Sequence, residues 1–171
     1  MEPRICIFAP YTDGKPLYRG LFVCVYCYVK VIKNYKEIFK MVDFKADERL
    51  NTLNHSCAHV MAQAVKHLYP NAKFWVGPVV KEGFYYDIDL GDVAVNDEII
   101  AAIEKEMKKV CKEGKKIFRR EVTKAEALEM FKDDMYKLDL INGLEDGNIT
   151  VYDQGDFTDL CRCLLYTSDA A

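Results

Sequence analysis

Between residues 47 and 69 the apolar side chains recur every three or four positions, and the pattern stops at Pro70. This spacing is typical of an α-helix, and a proline ends a helix at the residue before it. We therefore expect a first helix from about Asp47 to Tyr69. Its apolar positions are Leu50, Leu53, Cys57, Val60, Met61, Ala64, Val65 and Leu68.

The segments that follow favour strands in hairpin order. Residues 73–80 and 84–90 are rich in valine and aromatic residues, and residues 81–83 supply a turn between them. Three more strands are predicted, over 117–122, 149–152 and 157–160. Hairpin-ordered strands with helices between them predict an α+β fold, with an antiparallel sheet covered by helices on one face.

Capping residues predict where the other helices begin. Asn96 opens a second helix that ends near Gly114, and Thr123 and Glu126 form a capping box for a third. A short helical piece is expected over residues 136–141. Five lysines lie near the end of the second helix and just after it, and they indicate a solvated face or, alternatively, a contact with a nucleic-acid backbone. They are Lys108, Lys109, Lys112, Lys115 and Lys116.

Charge divides the chain into three pieces. Residues 1–40 carry a net +4, residues 41–162 a net −6 and residues 163–171 a net −1. The overall −3 argues against a protein that holds nucleic acid by a blanket of positive charge. Codons for Lys36 and Glu37 can form a ribosome-binding purine tract just before Met41, and the last nine residues can be encoded by a sequencing adapter. We therefore expect a non-native leader over 1–40, a domain over 41–162 and an adapter tail over 163–171.

The cysteines and the hydropathy of the chain indicate the cellular compartment of the protein. Seven cysteines at irregular intervals indicate reduced thiols in a cytoplasmic protein. The apolar run Leu21–Val29 is far shorter than the roughly 20 residues of a membrane-spanning helix. We expect no membrane association.

Two short patterns could carry chemistry. His55 and His59 are four residues apart, which places both imidazoles on one helix face, about 6 Å apart at their Cβ atoms. Such a pair can bind a metal or polarise a water molecule, or it can be two histidines without a role. The second pattern is Asp159–Arg162, where a cysteine lies between an acid and a base at a strand end.

Longer stretches match a known family. Asn54–Ala64, Val76–Val79, Gly83–Asp87 and Asp156–Arg162 occur in the order found in the amino-terminal editing domain of threonyl-tRNA synthetases. The resemblance covers essentially all of residues 41–162. It implies the editing-domain fold that these enzymes share in outline with alanyl-tRNA synthetases. The particular residues in the motifs favour the threonyl branch.

The resemblance implies a hydrolase that removes serine wrongly esterified to threonine tRNA. One methylene is worth only about 1–3 kcal/mol in binding, so a second, smaller pocket is needed to correct the error. Six residues are carried over. They are His55, His59 and Lys137 as catalytic residues, and Tyr86, Asp159 and Cys161 as substrate-binding residues.

In the mechanism that this implies, His59 and Lys137 position and polarise the attacking water, and His55 orients the substrate. The family has a further histidine four residues after the cysteine, where this chain has Leu165. We interpret the difference as truncation and expect the fragment to be inactive.

The family also implies partners and cofactors. The partner is the aminoacyl end of tRNA(Thr), and the family forms a homodimer through its ligase core. ATP, Mg and Zn belong to that core, so we expect no metal in the editing site. Two alternatives remain: a free-standing, zinc-dependent hydrolase of the alanyl type, and a non-catalytic tRNA-binding module.

Overall fold

A computed structural model describes residues 43, 45–81, 83–145, 147 and 149–161. The predicted leader and adapter tail lie outside these residues. The described helices are α1 (Glu48–Leu68), α2 (Asp97–Glu113), α3 (Lys124–Met130) and α4 (Met135–Asn142). The strands are β1 (Lys73–Phe74), β2 (Val79–Val80), β3 (Gly83–Phe84), β4 (Ile88–Asp89), β5 (Ile117–Val122), β6 (Ile149–Gln154) and β7 (Phe157–Leu160). The predicted α+β class with antiparallel pairing is confirmed.

Helix α1 is the centre of the fold. The Asp47 carboxylate accepts the backbone N–H of Leu50 at 2.9 Å, and the helix ends two residues before Pro70. Its middle is surrounded by α2, β2, β3 and β7. Because of that enclosure, polar side chains of α1 are buried together with apolar ones; they are Asn54, His55, Ser56, His59 and Gln63.

The ends of α1 extend beyond this enclosure. Leu53 and Leu68 belong to the repeat that predicts the helix, yet they are 48% and 37% exposed. The spacing thus predicts the helix correctly but not which of its apolar positions the other elements cover.

The predicted hairpin over residues 73–90 is present, but its strands are interrupted. Phe74 pairs with Ile88 at one end, and Val79 pairs with Phe84 at the other. Between these pairs only single hydrogen bonds link the two arms, such as Trp75 N–H to the Asp87 carbonyl at 3.0 Å. The interruption contains Pro78, which has no N–H to donate to a ladder.

Strands β5, β6 and β7 form an antiparallel sheet in that order. The register places Arg119 opposite Tyr152, and Tyr152 opposite Asp159. The two strands β6 and β7 are joined at Gly155, whose φ of 64° is the left-handed value that favours glycine. One apolar cluster packs α1 against the hairpin and α2, and a second packs β5 and β6 against α3 and α4.

The capping predictions for α2 and α3 are confirmed. The Asn96 side chain accepts the N–H of Ile99 at 2.9 Å, and Gly114 ends α2 with φ 58°. Thr123 and Glu126 form the predicted capping box. The five lysines over residues 108–116 are exposed, as a solvated face requires. Among the described residues, no helix combines the length and the apolar composition that crossing a membrane requires.

His67 links three elements. Its Nδ1 lies 3.1 Å from a carboxylate oxygen of Glu106 on α2, and its Nε2 lies 3.2 Å from Asp156 in the β6–β7 turn. Burial alone would lower the pKa of His67, but the hydrogen bonds and charges of the two carboxylates raise it above its ordinary value. His67 is therefore a partly buried connection between α1, α2 and the β6–β7 turn.

We expect His67→Gln to destabilise the protein in a pH-dependent way. Because the folded state raises the pKa of His67, its charged pairs stabilise the fold fully below the unfolded pKa of about 6.5. The stabilisation is lost as the pH rises through the folded pKa. Urea unfolding of both proteins should therefore give a larger difference at pH 5.5 than at pH 9. A difference that grows with pH would contradict this role.

Candidate active site

A cavity of about 510 Å³ lies between the middle of α1, the interrupted part of the hairpin, the end of α4 and the end of β7. We call it the front cavity. Its polar groups come from His55, His59, Tyr86, Asp159 and Cys161. The rest of its wall is apolar or glycine: Trp75, Val76, Gly77, Pro78, Leu140, Leu144 and Leu160. The structure thus brings five of the six predicted site residues to one cavity, from three separate parts of the chain.

The two histidines lie side by side on α1. Their ring centroids are 5.3 Å apart and the rings are stacked at 25°. The Nε2 atom of His55 lies 3.2 Å from the Sγ atom of Cys161, the residue after β7. The four-residue spacing predicted this common face, and the sheet brings the thiol to it.

Asp159 is the hub of the polar wall. Its carboxylate accepts the phenol of Tyr86 at 2.5 Å and the ammonium of Lys137 at 2.6 Å. The Nδ1 atom of His59 lies 3.4 Å from the same carboxylate. All four side chains are buried. This arrangement is typical of a carboxylate that fixes the orientation of a neighbouring imidazole.

The electrostatics of the hub keep Asp159 ionised. Burial alone would raise the pKa of this carboxyl, but Lys137 and His59, with the Tyr86 hydrogen bond, hold it below its ordinary value. Conversely, burial and the negative charge of Asp159 raise the pKa of Tyr86 well above its ordinary value. Tyr86 is therefore a hydrogen-bond donor to Asp159 throughout the neutral range.

Lys137 does not line the front cavity. Its ammonium donates to the Trp75 carbonyl at 3.1 Å, to the Tyr86 oxygen at 3.3 Å and to Asp159. Because an ammonium has three protons, these contacts use all its donors. Lys137 lies instead in the wall of a second cavity of about 810 Å³, which we call the rear cavity and which Asp159 also lines. Lys137 thus approaches the predicted site from behind Asp159.

Asp134 fixes the helix that carries Lys137. One of its oxygens caps α4 by accepting the N–H groups of Tyr136 at 3.1 Å and Lys137 at 3.3 Å, and the other accepts the Phe74 N–H at 2.8 Å. The Tyr136 phenol also donates to Asp89 at 3.0 Å. The sequence analysis did not single out Asp134, although an aspartate just before a short helical segment is a recognisable cap signal.

The cluster of His55, His59 and Cys161 matches the chemistry of a metal site. One ligand atom from each of the three buried residues lies within 4.8 Å of the others. Imidazole nitrogen and thiolate sulfur are the donors that zinc prefers, and three protein ligands suffice for a catalytic zinc. The residues therefore fit zinc by donor type and number, while the same atoms also fit a hydrogen-bonded His–Cys contact.

Comparison with known proteins identifies similar sequences. A threonine–tRNA ligase of Enterococcus faecalis is 56% identical over 117 residues, which is 68% of this chain and 18% of that protein. A threonine–tRNA ligase of Desulforapulum autotrophicum is 50% identical over 123 residues, and one of Staphylococcus aureus is 52% identical over 126 residues. These matches cover 72% and 73% of this chain, and 19% of each relative.

The chain thus spans less than a fifth of the length of the curated relatives it matches. None of the protein-family models compared with the chain matches it.

The buried contact between Lys137 and Asp159 predicts that removing Lys137 strongly lowers the free energy of unfolding. We expect Lys137→Met to lower the free energy of unfolding at pH 7 by about 3–5 kcal/mol, because it leaves the buried Asp159 carboxylate without its cation. Adding Asp159→Asn to this variant should recover part of the loss, because the remaining group is then uncharged. Denaturant unfolding measures both. A loss below about 1 kcal/mol for Lys137→Met, the range of exposed pairs, would contradict a buried ion pair.

Proposed function

We propose that this chain, which carries a segment of the threonine–tRNA ligase family, is a post-transfer editing site. Its substrate is seryl-tRNA(Thr), and its reaction is hydrolysis of the ester that joins serine to the terminal ribose. The observation that supports this most directly is the His59–Asp159 contact in the wall of the front cavity. A buried carboxylate beside an imidazole in a cavity is the arrangement that general-base hydrolysis needs.

The front cavity suits the end of an aminoacyl-tRNA. Its apolar wall of Trp75, Val76 and Pro78 can pack against a flat base, and its polar wall can meet the ribose and the amino acid. A pocket of this kind rejects threonine by steric exclusion of one methyl group. That exclusion supplies the discrimination that binding at a single site cannot.

In the proposed reaction His59 accepts a proton from water as the water oxygen attacks the ester carbonyl carbon. The bond between that carbon and the ribose oxygen then breaks, and the proton passes to the ribose oxygen. Serine and a free tRNA 3′ end result. The Asp159 carboxylate orients the ring through Nδ1 and stabilises the imidazolium that forms, so Nε2 is the atom that exchanges the proton with the substrate.

The other residues support this reaction in different ways. Lys137 acts through Asp159, because its three protons are used by Trp75, Tyr86 and Asp159. His55, held against Cys161, faces the same cavity and orients the substrate. All six predicted residues belong to the proposed site, but Lys137 and Asp159 act as positioning residues, where the resemblance implies a catalytic lysine and a substrate-binding aspartate.

Hydrolysis of aminoacyl-tRNA tests this directly. Because the family has Gly-Pro-His after the arginine, the assay compares the chain with a variant in which residues 163–165 are replaced by those three. We expect the variant to release serine from seryl-tRNA(Thr) and to spare threonyl-tRNA(Thr) by more than about 200-fold, because steric exclusion exceeds the roughly 10–200-fold that one methylene provides in binding. In the same background, His59→Ala should lower the rate by about 10²–10⁴-fold, as loss of a general base does.

A matched control is His67→Ala, which removes a histidine of the same helix that does not line the front cavity. It should leave the rate at 25 °C within a few fold. Equal cleavage of both esters, or cleavage of neither, would contradict the proposed specificity. Tight binding of tRNA without cleavage would instead indicate the non-catalytic binding module.

A second candidate function is a zinc-dependent hydrolase of the alanyl type, favoured by the clustering of His55, His59 and Cys161. A bound zinc would supply an activated water in such an enzyme. The three residues would hold the ion, and Asp159 would orient His59 in either case.

Metal analysis separates the two candidates. We expect the purified chain to contain far less than one zinc per molecule after dialysis without chelator, and its melting temperature to be unchanged by EDTA. Cys161→Ser should then leave the metal content unaltered. A zinc content near one that falls in Cys161→Ser, with loss of thermal stability in EDTA, would support the zinc enzyme instead.

A further inference from the structure

We propose that Gly77 is a positioning residue of the front cavity, because the absence of a side chain at this position lets the Tyr86 ring lie where its phenol reaches Asp159. This inference rests on the proposed function for its catalytic consequence. The structural part of the inference, that Gly77 makes room for the Tyr86 ring, depends only on the contacts of that ring.

The space at Gly77 is filled by the ring. A Cβ atom added to Gly77 would lie 2.5 Å from Cδ2, 2.8 Å from Cε2 and 2.9 Å from Cγ of Tyr86. These distances are well inside van der Waals contact. The Cγ atom is bonded to Cβ, so it cannot move away as the tip of a flexible chain does, and the whole ring must shift.

The backbone does not require glycine here. Among the glycines that the structure describes, those with positive φ are Gly83, Gly91, Gly114, Gly147 and Gly155, and Gly77 is not one of them. An alanine could therefore adopt this backbone conformation without strain. The ring of Tyr86 is the group that excludes it.

The ring has little room to move. Phe74 packs against it edge-on, with centroids 5.7 Å apart and planes at 79°. The Lys137 ammonium lies 5.7 Å from its centroid. Phe74, Tyr86 and Lys137 are all buried, so a shifted ring would displace other packed groups. Its phenol would then leave Asp159, and the hub would lose the hydrogen bond that helps to keep the carboxylate in place.

Gly77 is also part of the front cavity wall. A substitution there would thus alter the site in two ways, by displacing Tyr86 and by narrowing the cavity. The interruption of the hairpin at residues 75–78 gives this partly buried stretch of backbone its place in the wall.

The experiment compares Gly77→Ala in three backgrounds, with Gly143→Ala as the matched control because a Cβ at Gly143 would have 3.6 Å to its nearest neighbour. Gly77→Ala should lower the melting temperature of the otherwise unchanged protein by about 5 °C or more, as overpacking by one methyl does. In Tyr86→Phe, which keeps the ring, the shift should be similar. In Tyr86→Ala, which removes the ring together with its Cγ atom, most of the shift should vanish. Gly143→Ala should change the melting temperature by less than 2 °C, roughly the effect of a tolerated glycine substitution.

The second measurement is the affinity for a non-hydrolysable seryl amide of 3′-aminoadenosine, at a temperature where every variant is folded. Gly77→Ala should weaken binding at least tenfold and Gly143→Ala less than twofold. Because Gly77→Ala and Tyr86→Phe both act on the hydrogen bond between Tyr86 and Asp159, their losses should be less than multiplicative in the double variant, where only the narrowing of the cavity by Gly77→Ala adds to the loss from Tyr86→Phe.

The outcomes separate the two proposals. An equal melting shift for Gly77→Ala in the Tyr86→Ala background, or none in the unchanged protein, would overturn the inference that Gly77 makes room for the Tyr86 ring. Unchanged analogue affinity in a destabilised Gly77→Ala would reduce Gly77 to a packing residue and overturn its positioning role. An unaltered chain that does not bind the analogue would contradict the proposed function, while the melting comparison would still decide the contact with Tyr86.

Discussion

The ionised carboxylate of Asp159 is the group on which the arrangement of the site depends. A charge at this depth is costly unless it is paired and hydrogen-bonded, and the protein meets this need with Lys137 from α4, Tyr86 from the hairpin and His59 from α1. Each of these elements is held in place by something else: α4 by Asp134, the Tyr86 ring by Gly77 and Phe74, and α1 by its enclosure. The same contacts therefore form the polar wall of the front cavity and pack the domain.

Both cavities are bordered by these contacts around Asp159. The front cavity is lined by the two imidazoles and the thiol, and the rear cavity is lined by Lys137, with Asp159 in the wall of both. A cation placed behind the carboxylate influences the chemistry without occupying space that a substrate needs. Lys137 therefore contacts the polar wall of the front cavity through Asp159, while its three protons are donated to groups of the protein.

Local sequence signals predicted the elements well, because they are local in origin. Asp47, Asn96 and Thr123 cap the helices that their positions indicate, and the histidine spacing predicted a common face for His55 and His59. The meeting of that face with Asp159 depends on sheet register and hairpin packing across about a hundred residues, and no local pattern encodes it. Only the family resemblance pointed to it. Gly77 and Asp134 escaped the sequence analysis because their importance lies in contacts with distant neighbours.

The pairing of β7 with β6 has a consequence for how errors in folding would appear. Asp159 lies opposite Tyr152, and Cys161 continues the pairing by exchanging hydrogen bonds with Thr150, so the carboxylate and the thiol point to the same side of the sheet. Side chains alternate along a strand, so a slip of a single residue would move both groups to the opposite face of the sheet. Such a slipped strand would keep its full ladder of backbone bonds while carrying none of the chemistry. The tight turn at Gly155 thus sets the register of β6 and β7 when the chain folds.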